Sequence, residues 1–71
     1  MKAYSLEAAL HHPDAVTVLY AQGRGWRELP PGLERLKQLK ILGLAGNQLS
    51  SVPEVIAELP HLEELDLSGN N

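Results

Sequence analysis

The sequence predicts a small α/β solenoid: a stack of coils, each with one short strand and one return segment, under a short amino-terminal helix. The first observation is that Val16-x-x-Leu19-x-Ala21, Leu39-x-x-Leu42-x-Leu44 and Leu62-x-x-Leu65-x-Leu67 align at a spacing of 23 residues, with Asn47 and Asn70 three places after the last two lines. The second is that the period continues past the strand, with Trp26 matching Leu49, Leu29-Pro30 matching Val52-Pro53, Leu33 matching Ile56 and Leu36 matching Leu59. The third is a change of apolar spacing inside each unit, from two residues to three. A fixed period of this length marks units that bury their apolar faces against their neighbours.

The elements follow in chain order. Residues 1–14 read as a capping helix, residues 15–38 and 39–61 as coils, and residues 62–71 as an incomplete one. Ser5 suits an N-cap, Leu6, Ala9 and Leu10 fall at i, i+3 and i+4, and the His12-Pro13 step stops a helix running from about Ser5 to His12. So short a helix depends on docking against the first coil. In the strands, Leu42 and Leu44 point to one side while Ile41, Gly43 and Ala45 point to the other. Leu49, Val52, Ile56 and Leu59 then suit irregular, 3₁₀ or short helical structure returning along the opposite flank. Pro30, Pro31 and Pro53 open the return segments, where a missing N–H is tolerated, and Gly46 and Gly69 relax the backbone as it leaves the strand.

Written out, the unit is Leu-x-x-Leu-x-Leu-x-x-Asn-x-Leu-x-x-Leu-Pro-x-x-Ile-x-x-Leu-x-x. It resembles the leucine-rich repeat family over residues 16–71, and the unit from Leu39 to His61 departs only by Val52. The resemblance implies a right-handed coil stack with a parallel sheet on its concave face. It assigns Asn47 and Asn70 the task of hydrogen-bonding main chain at the inner bend, a role that suits an amide because it both donates and accepts. Arg24 holds the matching place in the first coil and cannot accept, so that bend needs another solution and the first coil should be the least regular. Trp26 should fill the wide first coil beneath the cap.

The resemblance also implies that protein partners dock on the concave face, through the columns Val18-Ile41-Glu64, Tyr20-Gly43-Asp66 and Gln22-Ala45-Ser68. Tyr20 beside Gly43 is the expected aromatic anchor, with open space next to it. Three strands make a narrow platform, below the roughly 800 Å² per partner of an ordinary specific interface.

Composition narrows the function further. A chain of 71 residues with 44% hydrophobic content buries a modest core, and without cysteine it has neither a disulfide nor a Cys-type zinc site to reinforce it. No apolar run approaches the roughly 18 residues of a membrane span, and Met1-Lys2-Ala3-Tyr4-Ser5-Leu6-Glu7 has no hydrophobic signal segment, so a cytoplasmic protein is expected. The net charge of -3 argues against nucleic acid. All six Lys and Arg lie in the first 40 residues, whereas residues 41–71 carry Glu54, Glu58, Glu63, Glu64 and Asp66 and no basic residue.

Catalytic chemistry is not expected. His11, His12 and Asp14 form the one cluster with metal-ligand character, but consecutive histidines diverge on a helix and read better as its polar end. His61 reads as a solvated loop residue, Ser50, Ser51 and Ser68 have no His-Asp partners in view, and the glycine pairs lack the Lys-Ser/Thr of a phosphate loop. The expectation is a non-catalytic protein-interaction module without cofactor or metal, a fragment or minimal array whose repeat type resembles bacterial ones. The alternative is a self-assembling unit, natural or designed, that pairs through Leu62, Leu65 and Leu67 at an uncovered last strand. Antiparallel pairing there would oppose Glu63, Glu64 and Asp66 to their counterparts, so association should strengthen with salt or mild acid.

Overall fold

A computed structural model describes all residues, Met1 to Asn71. Four strands, β1 (Lys2–Ala3), β2 (Val18–Tyr20), β3 (Ile41–Gly43) and β4 (Glu64–Asp66), form one parallel sheet in chain order. A helix, α1 (Leu6–Leu10), follows β1, and two 3₁₀ segments, Leu33–Arg35 and Glu54–Glu58, return the chain along the flank opposite the sheet.

The 23-residue period becomes the sheet register directly. Val18 lies beside Ile41 and Ile41 beside Glu64, Leu19 beside Leu42 and Leu42 beside Leu65. One carbonyl per coil repeats the same bond: Thr17 O accepts from the N–H groups of Lys40 and Ile41, and Lys40 O accepts from those of Glu63 and Glu64. Identical units in identical register satisfy the backbone by one rule, which is why so short a strand suffices.

The cap is larger than the expected helix. Ser5 is the N-cap and its side chain accepts from Ala8 N–H at 3.1 Å, as its residue type predicts. Ahead of it, however, β1 adds a strand that the sequence reading missed, with Lys2 beside Val18 and Ala3 beside Leu19. Met1 O accepts from the N–H groups of Thr17 and Val18, extending the carbonyl ladder to the first residue. The separation here is 16 residues, so the 23-residue period could not reveal it.

Side chains from every coil meet in one core. Val16, Leu19, Ala21, Leu36, Leu39, Leu42 and Leu44 are fully buried, and Ala3, Leu6 and Ala9 of the cap complete the cluster. Trp26 is half-buried against that core and lines a hollow with Leu6, Leu10, Pro30 and Pro31, beneath the cap as expected. Pro53 precedes the second 3₁₀ segment with φ near -63°, and Gly46 and Gly69 take φ near +70°, a left-handed turn that side chains with a Cβ resist. At the other end the repeat leucines lose cover: Leu62, Leu65 and Leu67 are half-buried, and Val52 is exposed. No helix is long and apolar enough to cross a membrane.

Candidate functional site

Two bends hold the outer sheet face in place. Asn47, only 4% exposed, makes four hydrogen bonds: Nδ2 donates to Ala21 O and Leu44 O, each at 3.0 Å, while Oδ1 accepts from the N–H groups of Arg24 at 2.9 Å and Trp26 at 3.2 Å. One amide therefore closes its own bend and that of the preceding coil. Asn70 repeats the pattern, donating to Leu44 O and Leu67 O and accepting from Leu49 N–H.

This arrangement explains Arg24. An asparagine accepts from the coil before it, but before the first coil stands the cap, which presents a carbonyl at this point. The Arg24 guanidinium donates to Tyr4 O, and Asn47 supplies the acceptor that Arg24 lacks. The other solution that this bend needs comes from both sides.

The outer face is built by strand alternation, and it differs from expectation at three points. Val18, expected as an accessible contact position, is buried at 8% exposure. Gly43, expected to leave open space, is also buried, because the Tyr20 ring lies across it: a Cβ on Gly43 would stand 2.8 Å from Tyr20 Cδ1. The third is Tyr4, which the sequence reading did not select. It stacks on Tyr20 with ring centroids 6.0 Å apart and planes inclined by 30°, and it is 63% exposed. A small residue buried at Ala3, an aromatic after it and a helix N-cap at Ser5 were the available signals of a strand end.

The remaining positions lie where the columns placed them. Ile41, Tyr20 and Ala45 are half-buried, and Gln22, Glu64, Asp66 and Ser68 are exposed. A shallow concavity of about 220 Å³ is bordered by Tyr20, Gln22, Ile41, Gly43, Glu64 and Asp66. Asp66 is oriented: its Oδ1 accepts from Ser68 N–H at 2.9 Å and Ser68 Oγ at 2.6 Å. These two bonds, the hydroxyl first, hold its carboxyl below the ordinary aspartate range.

The last strand forms a second surface. Leu44 N–H donates to Asp66 O, so by the same alternation the Leu67 N–H turns to the open side. Leu62, Leu65 and Leu67 reach the core from this edge but remain partly in solvent. His11, His12, Asp14 and His61 do not gather with other ligand types, and no group of three or more His, Cys, Asp or Glu residues could hold a metal ion.

A parallel sheet of strands in constant register, each bend closed by an asparagine bridging two coils, defines a stacked-repeat scaffold of the α/β class. Residues 28–71, well over half of the chain, match the family described as Leucine Rich repeats (2 copies), and the chain belongs to the leucine-rich repeat family. That family consists in general of non-catalytic modules that bind proteins. The match begins after Arg24, where the chain departs from the repeat pattern.

Proposed function

We propose that this chain is a protein-interaction module without catalytic activity, and that the partner contacts its outer sheet face. The observation that carries the reading is the stacked Tyr4–Tyr20 pair beside the concavity that ends at Asp66 and Glu64. Aromatic side chains dominate interface energetics because they bury much area at little entropic cost. With four short strands the face suits a peptide or one loop of a partner better than a broad protein surface.

Selection of random displayed peptides on the purified chain tests this. Selected peptides should bind, and Tyr20→Ala should weaken them about tenfold, the effect of losing a moderate anchor. Peptides that bind the Tyr20→Ala variant equally well would place the interaction elsewhere and overturn the reading.

A second reading rests on the half-buried Leu62, Leu65 and Leu67: self-association through the edge of β4. A further coil of a longer array would cover the same leucines, and the two covers are mutually exclusive. Like charges oppose antiparallel pairing, and Asp66 shapes how that opposition can be relieved. Its two Ser68 hydrogen bonds hold its carboxyl below the ordinary aspartate range, so acidification relieves its charge later than that of an ordinary aspartate. Salt acts on Glu63, Glu64 and Asp66 together. The average mass should rise with protein concentration, more steeply near 1 M salt, where the screening length falls to about 3 Å. Leu65→Glu should return it to the monomer value with the fold retained; a wild-type chain that stays monomeric at high salt would sink this reading.

A further inference from the structure

We propose that the occupant of the outer face is an extended cationic peptide segment, with an arginine or lysine lying against the Tyr4–Tyr20 pair and reaching the carboxylates of Asp66 and Glu64. This rests on the interaction-module reading and specifies the partner of the same surface. Three observations carry it.

The first is placement. Tyr20, Gly43 and Asp66 occupy one row across β2, β3 and β4. Adjacent strands lie about 4.8 Å apart, and the Tyr20 ring already leans across Gly43, so the ring is about one strand from Asp66. A cation within about 6 Å of an aromatic centroid gains from the ring's negative face, and at this site the same cation is within reach of a carboxylate. Gly43 makes the juxtaposition possible, because any side chain there would displace the ring.

The second is the state of the acceptor. Ser68 occupies Oδ1 of Asp66 twice, which orients the group and leaves Oδ2 for a ligand. A fixed carboxylate beside a flat aromatic surface matches a guanidinium, which is planar, donates in a fork and stacks.

The third is the distribution of charge. Along the neighbouring row, Lys2 stands at the β1 end and Glu64 at the β4 end, with Val18 and Ile41 between them. Asp66 adds a second acidic charge at the β4 end, whereas Glu54 and Glu58 lie on the 3₁₀ segment of the opposite flank. The face is therefore polarised along the stack, and a cation lying on the tyrosines is drawn toward its β4 end.

The test titrates the isotope-labelled full chain with end-blocked tetra-arginine, and with tetra-glutamate as the opposite charge. Tetra-arginine should shift the amide signals of Tyr20, Gly43 and Asp66, and tetra-glutamate should not. Asp66→Asn keeps an acceptor for Ser68 while removing the charge, and it should weaken tetra-arginine binding about two- to fivefold, the scale of an exposed ion pair. Shifts confined to Glu54 and Glu58, or binding indifferent to Asp66→Asn, would overturn the proposal. The displayed-peptide selection separates the two levels. Peptides without basic residues that still require Tyr20 overturn the cationic partner and keep the binding face, whereas an absence of peptides requiring Tyr20 overturns both. Shifts at Leu65 and Leu67 that grow with protein concentration, with none at Tyr20 on adding tetra-arginine, would make a second copy the occupant and overturn it as well.

Discussion

Asn47→Ala is expected to cost about 2 to 4 kcal/mol of unfolding free energy, since each buried polar group left unpaired costs about 1 to 3 kcal/mol and partly buried ones cost less. The substitution strands three backbone groups, Ala21 O and the N–H groups of Arg24 and Trp26, while Leu44 O keeps its bond from Asn70. Ala21 O belongs to a fully buried residue, while the bonds of the Arg24 and Trp26 N–H groups are only partly buried. For a chain of 71 residues the whole stability is about 4 to 10 kcal/mol, so the variant should lose a large part of it. Asn47→Asp should be as damaging, because it replaces the donor facing Ala21 O and Leu44 O by another acceptor. Asn70→Ala provides the internal comparison. Leu44 O would keep its bond from Asn47, Leu67 O lies at the open end and only the partly buried Leu49 N–H loses its acceptor, so the expected cost is about 1 kcal/mol. Denaturant midpoints of the three variants by circular dichroism check this, and equal losses at Asn47 and Asn70 would refute the bridging role.

The second large effect contrasts two leucines that the repeat treats as the same. Leu42→Ala should cost about 3 to 4 kcal/mol, because Leu42 is 0% exposed and a coil on either side prevents the cavity from collapsing. Leu65→Ala should cost about 1 kcal/mol in the monomer, where the side chain is only partly buried and no closed cavity forms. Urea unfolding at low protein concentration measures both. If the Leu65→Ala loss instead approaches that of Leu42→Ala and grows with concentration, a second copy covers the edge, which ties this measurement to the mass experiment. Comparable losses independent of concentration would mean that position within the stack does not control burial.

Much of this architecture is legible along the chain. The spacing of Leu19, Leu42 and Leu65 becomes the sheet register without adjustment, because stacked identical units can satisfy their backbones only in step. The resemblance to leucine-rich repeats singled out Asn47 and Asn70, and the chemistry agrees, because an amide both donates and accepts at a tight bend. Ser5 marked the start of α1, and Pro53 the start of a 3₁₀ segment, through local preferences that need no tertiary context.

The misses lie where the repeat meets something that does not repeat. β1 pairs with β2 at its own separation, so no period announced it, and Tyr4 passed unnoticed with it. Tyr20 and Gly43 were correctly placed on one face, but alternation reports a direction and not where a ring comes to rest. The ring fills the space expected to be open and leaves the exposed aromatic surface to Tyr4. Arg24 looked like a defect because its bend was considered alone, whereas the cap's Tyr4 carbonyl and the next coil's Asn47 share the work.

By itself, then, the sequence determined the coil, its register, its core leucines and its bend asparagines, since each is a demand that every unit makes of an identical neighbour. The tertiary structure alone decided how the first coil is capped, which outer-face side chains reach solvent, and how the tyrosine pair comes to stand beside Asp66. Those outcomes depend on contacts between unlike segments, whose geometry is set when the cap docks and leaves no periodic trace in the order of residues.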